Sequence, residues 1–317
     1  MKAPRRFSAA DHSGRSLDAA RWRSVEANLY PAAVAAVQPW QKFRWHSAGG
    51  NVCDSYKEHS SQALMIDVFG SFKVSAQRGR ILDHLAEALG LPPSGPWDIQ
   101  LEWRDPDNLL KEKTSTWADA VAISPQALIF FEGKFTEPDG GPCSQTRPIK
   151  SGRHRGLVPC NGAYTPQVNP VNGRKAPCAL TGKGLRYWEL VPEVFNFPND
   201  LGYLPCPFAG PWFQWMRNLT VCWAAARQAQ RRPAFVLVYA DGPTLPMAER
   251  IRSADWQRFL RQLRPGAVSV HTLSHQALVS LAQAACPEDP QWPDLARWVQ
   301  RKISSVCQAR QVESAAF

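Results

Sequence analysis

TWADAVAISPQALIFFEGKFTE, residues 116–137, decides how the rest of the chain is read. Two apolar runs, ADAVAIS and ALIFFEGKF, flank Ser124-Pro125-Gln126, which reads as a turn, so a pair of adjacent strands is expected. Three ionisable residues interrupt the runs: Asp119 in the first, Glu132 and Lys134 in the second. Burying an unpaired charge is expensive, so charges in such strands call for a reason. Glu132 and Lys134 are two apart and share a strand face, and Gly133 between them allows close backbone approach. Asp119 can reach that face from the neighbouring strand. Two carboxylates and the Gly133 carbonyl are hard oxygen donors suited to Mg²⁺, with Mn²⁺ as a substitute. Lys134 can orient an activated water and offset charge developing on a phosphate. The bland alternatives are a surface hairpin triplet for Glu132 and Lys134, and a turn cap for Asp119.

Outward from this stretch the period changes. DIQLEWR (98–104) reads as a preceding strand, giving a three-stranded meander. Before it, EHSSQALMIDVFGSF (58–72) reads as an amphipathic helix and ILDHLAEALG (81–90) as a second, with Gly90 as C-cap. YPAAVAAVQPW (30–40) reads as a short helix interrupted by proline. After it, residues 138–211 are rich in Gly and Pro with little helical period, too long for a plain connecting loop. WFQWMRNLTVCWAAARQAQ (212–230) then gives a helix, PAFVLVYAD (233–241) a strand, and ADWQRFLRQL (254–263) a helix. AVSVHTLSHQAL (267–278) reads as a strand running into a helix, and DLARWVQRKIS (294–304) closes the fold. That order predicts an α/β fold, a mixed sheet flanked by helices with a Cys-containing insertion at about 138–210. Residues 1–57 read as an N-terminal tail and helical extension, the first 20 or so being a loose basic tail, and 58–317 as the main domain.

The chain has 317 residues, 44% apolar, with 13 tryptophans, as a folded globular protein does. Its 37 basic residues against 27 acidic give +10, which supports a polyanionic partner or merely incidental nucleic-acid binding. No apolar run approaches the roughly 20 residues that cross a membrane, and no apolar segment follows the basic start; a cytoplasmic protein is expected. Eight dispersed cysteines fit reduced thiols better than a disulfide framework. Cys143, Cys160, Cys178 and Cys206 fall in the insertion and could make a closed structural Zn²⁺ site, with His154 able to replace one. They lack short Cys-x₂₋₄-Cys spacing, and ordinary buried thiols are the competing reading. Cys53, Cys222, Cys286 and Cys307 read as scattered core residues. The insertion also carries Lys150, Arg153, Arg155, Arg174 and Lys175, either a phosphate-facing surface or a solvated basic loop.

Asp119 and Glu132-Gly133-Lys134, set in this element order, resemble the PD-(D/E)xK nuclease superfamily, the fold shared by many restriction endonucleases. The resemblance spans much of 58–239, with Ala118 where the family name has proline. HSSQALMIDVFG, EGKFTE, the cysteines and RYW are also similar to a restriction-endonuclease branch of that superfamily. The resemblance implies Mg²⁺-dependent hydrolysis of DNA phosphodiesters, with Asp119 and Glu132 holding the metal and Lys134 stabilising the transition state. It also implies a further acidic residue on the helix before the first strand. Glu58 is the best match and Asp67 the weaker one. Gln62, one turn after Glu58, could bind phosphate or water; a solvated helix start is the alternative for both. Glu102 reads as an exposed strand-end charge, although it could approach the site, and Glu137 as leaving the active face. Arg217, near Gln214 and Asn218, could contact phosphate or pair with a protein carboxylate. The functional expectation is a restriction or defence endonuclease acting on DNA, as a homodimer or with a defence-system partner. The alternatives are a noncatalytic DNA-binding component, a repair exonuclease, or a ribonuclease.

Overall fold

A computed structural model describes residues 17–46 and 53–315. Most of the expected basic tail lies outside the described residues. Five strands form one sheet: β1 (Asp98–Arg104), β2 (Trp117–Ile123), β3 (Ala127–Lys134), β6 (Arg232–Tyr239) and β7 (Ser269–Ser274), in that spatial order. A separate two-stranded ribbon, β4 (Gln167–Val168) with β5 (Lys175–Ala176), sits in the insertion. β1–β2–β3 is an antiparallel meander, whereas β6 pairs parallel to β3 and β7 parallel to β6. The fold is α/β, a mixed sheet flanked by helices, in the restriction-endonuclease-like arrangement.

A strand in the middle of such a sheet must bury both faces, and the continuous apolar run ALIFF of β3 does so. Its side chains alternate between two cores. Ala127, Ile129 and Phe131 join the first, with helices Arg78–Ala88, His275–Ala285 and Gln291–Ala315. Leu128 and Phe130 join the second, with helices Tyr187–Val194, Phe213–Gln228 and Ala254–Arg261. Trp22, Val25 and Leu29 of the N-terminal segment enter the first core. Alternation continues to the end of β3, so Glu132 and Lys134 turn toward helix Phe213–Gln228 while Gly133 turns toward the first core.

The segment expected as an amphipathic helix behaves differently. Ser61–Met65 is α-helical, Ile66–Gly70 π-helical and Ser71–Val74 α-helical, running on without a break. Residues 62–72 are buried throughout, because the sheet covers one side and the 3₁₀ turn Pro31–Val37 with helix Gln291–Ala315 covers the other. Glu58 falls outside this helix, whose N-cap is Ser60, and its side chain is exposed. The insertion holds one helix that the proline-rich sequence concealed, Tyr187–Val194, which contains Pro192 and buries Tyr187, Trp188, Val191 and Val194.

Asp67 is not a site residue. Its Oδ2 accepts from Lys302 Nζ at 2.6 Å and Trp298 Nε1 at 3.0 Å, and its Oδ1 accepts from Tyr30 N at 2.7 Å. This ion pair is fully buried and ties the long C-terminal helix to the N-terminal segment. Lys302→Met would leave Asp67 buried without its counter-charge. The expected cost is about 3–5 kcal/mol, read as a lower urea midpoint at unchanged slope; an unshifted midpoint would refute this role.

Candidate active site

DIQLEWR alternates, so a regular strand would put Glu102 on the exposed side with Asp98 and Gln100. Instead Glu102 adopts φ +50° and is buried at 7% exposure. The faces exchange at this residue: Leu101 packs on the first core and Trp103 on the second. β2 exchanges at the same level, with Ala120 in the first core and Ala118 in the second. The register holds on either side of the kink, Leu101 opposite Ala120 and Trp103 opposite Ala118, so Glu102 lies opposite Asp119. Extending the β2–β3 register places Asp119 opposite Glu132. Carboxylates from three adjacent strands therefore stand abreast. A left-handed glutamate costs on the order of 1–3 kcal/mol, and such strain gathers at functional sites.

Each carboxylate is held by specific partners. Asp119 Oδ2 accepts the Gly133 backbone N–H at 2.7 Å, where the β2–β3 ladder has opened. Glu132 Oε1 accepts from Lys134 Nζ at 2.6 Å and its Oε2 from Asn218 Nδ2 at 2.8 Å. Lys134 also donates to Gln214 Oε1 at 3.1 Å, so two residues one turn apart on the helix after the insertion fix the pair. Glu102 accepts from Gln62 Nε2 at 2.7 Å and bonds His46 Nε2 at 2.9 Å. Gly133 allows helix Ser61–Met65 to pack directly against β3: a Cβ there would lie 2.4 Å from Met65 Cγ.

His46, Glu102 and Asp119 each bring one ligand atom to within 4.8 Å of the others, the one such His/Cys/Asp/Glu group among the described residues. His46 and Asp119 border a cleft of about 410 Å³ that Glu132, Gly133, Lys134, Glu137 and Gln214 also line, with Glu102 buried behind Gln62 and His46. The chemistry of this donor set fits a divalent cation: two carboxylates and an imidazole, packed where like charges repel. Ser61 Oγ, on the same wall, is buried without a hydrogen-bond partner in the structure. Burial, and then the Glu102 charge, raises the Asp119 pKa above the usual carboxylate range. Burial and the Asp119 charge likewise raise Glu132. Burial alone would lower His46, but the hydrogen bond and charge of Glu102 outweigh it and lift the imidazole to about 9. Its ring is 44% exposed at the cleft mouth, so solvent screens part of that attraction.

A family model described as Restriction Endonuclease associating with ARP (REase-ARP) matches residues 41–301. The chain belongs to the REase-ARP family. The matched span contains every residue of the cleft, including His46, which lies near its start. Comparison with curated proteins and with solved structures gives no match. In this REase-ARP chain, family and geometry agree on a nuclease-like fold with a candidate divalent-metal site.

Several expected residues take other places. Asp119, Glu132, Gly133 and Lys134 do meet in the cleft, but exposed Glu58 does not line it. Glu102, expected as an exposed strand-end charge, is buried and is the further carboxylate that stands near Asp119. Gln62 lines the cleft, yet its amide is spent on scaffolding: Oε1 accepts from His46 N and Ser55 Oγ, while Nε2 donates to Arg44 O and Glu102. Glu137 stays at the site but caps the turn after β3, accepting from Phe135 N and Thr136 N. Arg217 is half-buried beside Asn218 and does not line the cleft. Arg153, Arg155, Arg174 and Lys175 are exposed on the insertion, outside the cleft wall. His46 had no sequence signal: it is a lone histidine, 56 residues before Glu102 in the chain.

The pKa directions fix a pH dependence. Raised carboxylates and a raised imidazole hold protons that a cation must displace, so affinity is expected to increase from pH 6 to pH 9. Calorimetry with Mn²⁺ in buffers of different ionisation enthalpy should detect proton release; pH-independent binding without release would contradict the arrangement.

Proposed function

We propose that this protein is a metal-dependent deoxyribonuclease, an endonuclease of restriction or defence that uses Mg²⁺, with Mn²⁺ as a substitute. The observation that carries the reading is the convergence of Glu102, Asp119 and His46 at a cleft that His46 and Asp119 line together with the buried Glu132–Lys134 pair. Asp119, Glu102 and His46 are the primary cation-holding residues; Glu132 and the Gly133 carbonyl complete the set in the motif reading. When bound, the cation supplies Lewis-acid activation of water and phosphate.

The chain's own residues set the rest of the chemistry. Lys134, held by Glu132 and Gln214, presents a fixed ammonium that opposes negative charge developing on a phosphate. Its pairing with Glu132, together with Asp119 and Glu137 nearby, raises its pKa despite burial, so it stays charged throughout the working range. Gln62 anchors both Glu102 and the 44–46 segment, which keeps His46 at the mouth.

Cleavage of supercoiled circular DNA tests the reading. Asp119→Ala, Glu102→Ala and His46→Ala should each weaken Mn²⁺ binding and cleavage together. Lys134→Ala should retain more metal affinity while losing cleavage by about 10²–10³-fold, the usual effect of removing a transition-state donor. Wild-type protein that binds DNA and metal without cutting would favour a noncatalytic binding component. Cleavage of linear DNA alone would indicate an exonuclease, and cleavage of RNA alone a ribonuclease.

The exposed Arg153, Arg155, Arg174 and Lys175 are proposed as the backbone-holding surface, with half-buried Arg217 nearer the site. Replacing the four exposed residues with alanine should weaken DNA binding across sequences and flatten its salt dependence, because fewer counterions are released. Unchanged affinity and slope would place the contact elsewhere.

A further inference from the structure

Between β3 and helix Phe213–Gln228 runs a long insertion with little regular structure. A segment of this kind buries few backbone hydrogen bonds and needs another source of order. Cys143, Cys160, Cys178 and Cys206, separated by up to 63 positions, all line one enclosed space of about 10 Å³. Tyr187, Trp188 and Phe208 close it. Such a space holds a single small ion or water and nothing larger.

The main chain around the four sulfurs follows one pattern. Each thiol accepts a backbone N–H from the residue two positions on: Gln145 to Cys143, Gly162 to Cys160, Leu180 to Cys178, and Phe208 to Cys206. For Cys160 that distance is 3.4 Å, and Gly162 makes the turn with φ +82°. At Cys143, Cys178 and Cys206 burial outweighs these N–H groups and holds the thiols above their ordinary range, so a cation must displace their protons. Cys53 accepts a similar bond from Ser55, so one such turn is not diagnostic; four of them facing one space is the distinguishing feature. Three of the turns, those at Cys143, Cys160 and Cys206, are also bound to one another. Cys143 N donates to Phe208 O at 3.2 Å, Cys160 N to Gln145 O at 2.9 Å, and Cys206 N to Gly162 O at 2.8 Å.

We propose that Cys143, Cys160, Cys178 and Cys206 together bind one structural Zn²⁺ ion. Four soft sulfur donors at a closed, aromatic-walled point suit zinc and leave no open position for chemistry. No three of these sulfurs reach the 4.8 Å mutual spacing of the His46 group, so ligation requires the side chains to close in on the ion. His154 is not a ligand: it accepts from Arg153 Nε at 2.8 Å and does not line the space. The ion clamps the bases of both basic loops, since Arg153 and Arg155 lie between Cys143 and Cys160, and Arg174 and Lys175 just before Cys178.

Elemental analysis of the full chain, purified without chelator, tests this directly. About one zinc per chain is expected, retained in Asp119→Ala and His154→Ala and lost in Cys160→Ser and Cys206→Ser. Cobalt exchanged into wild type should show sulfur-to-cobalt charge transfer and intense tetrahedral visible bands. These wild-type measurements decide the matter even if the serine variants do not fold. Folded wild type without zinc, cobalt spectra without sulfur ligation, or the four cysteines paired as disulfides by mass would each overturn the proposal.

Discussion

Like charge held abreast in a sheet is the constraint around which this molecule is organised. Two unit charges about 4–5 Å apart repel by roughly 3–4 kcal/mol at an effective dielectric near 20. Glu102, Asp119 and Glu132 occupy such a row on three adjacent strands. Lys134 and His46 offset it from opposite ends, one from within β3 and one from a loop at the mouth. Without them, protonation would be the cheaper state, which is the direction in which Asp119 and Glu132 are already pushed. A divalent cation would relieve the same repulsion, which is why this donor set is a candidate metal site.

Much of the surrounding fold serves this row. Helix Phe213–Gln228 packs on the second core and presents Gln214 and Asn218 to the Glu132–Lys134 pair. Helix Ser61–Met65 packs on the first core, against Gly133, and delivers Gln62 to Glu102. The site is thus clamped from both faces of the sheet. The parallel β3–β6 pair requires a crossover, and the insertion leaves β3 at its carboxyl end, where the cleft opens. Open sheets place ligands at this end of their strands. The basic loops rise from that crossover and stay off the cleft wall.

The sequence was legible where one local rule governed. Alternation and turn residues located the meander, and the scarcity of charge in apolar strands singled out Asp119, Glu132 and Lys134. It misled where two rules conflicted. Period two put Glu102 on the solvent side, but its left-handed backbone turns it inward. Helical period suggested an exposed face on residues 58–72, yet packing from both sides buried 62–72, and Ser60 started the helix beyond Glu58. Gln62 read as a phosphate or water contact because it lies one turn after Glu58; four scaffold hydrogen bonds consume it.

By itself, the sequence determined the element order, the mixed α/β sheet and the charged end of β3, because these follow from periodicities of two and 3.6 and from the cost of stray buried charge. Tertiary structure alone decided that His46 and Glu102 join Asp119, that Asp67 belongs to Lys302, and that four distant cysteines face one point. Those choices depend on a backbone kink, on helix packing and on loop closure. Each is set by contacts between residues tens to hundreds of positions apart, which no local pattern records.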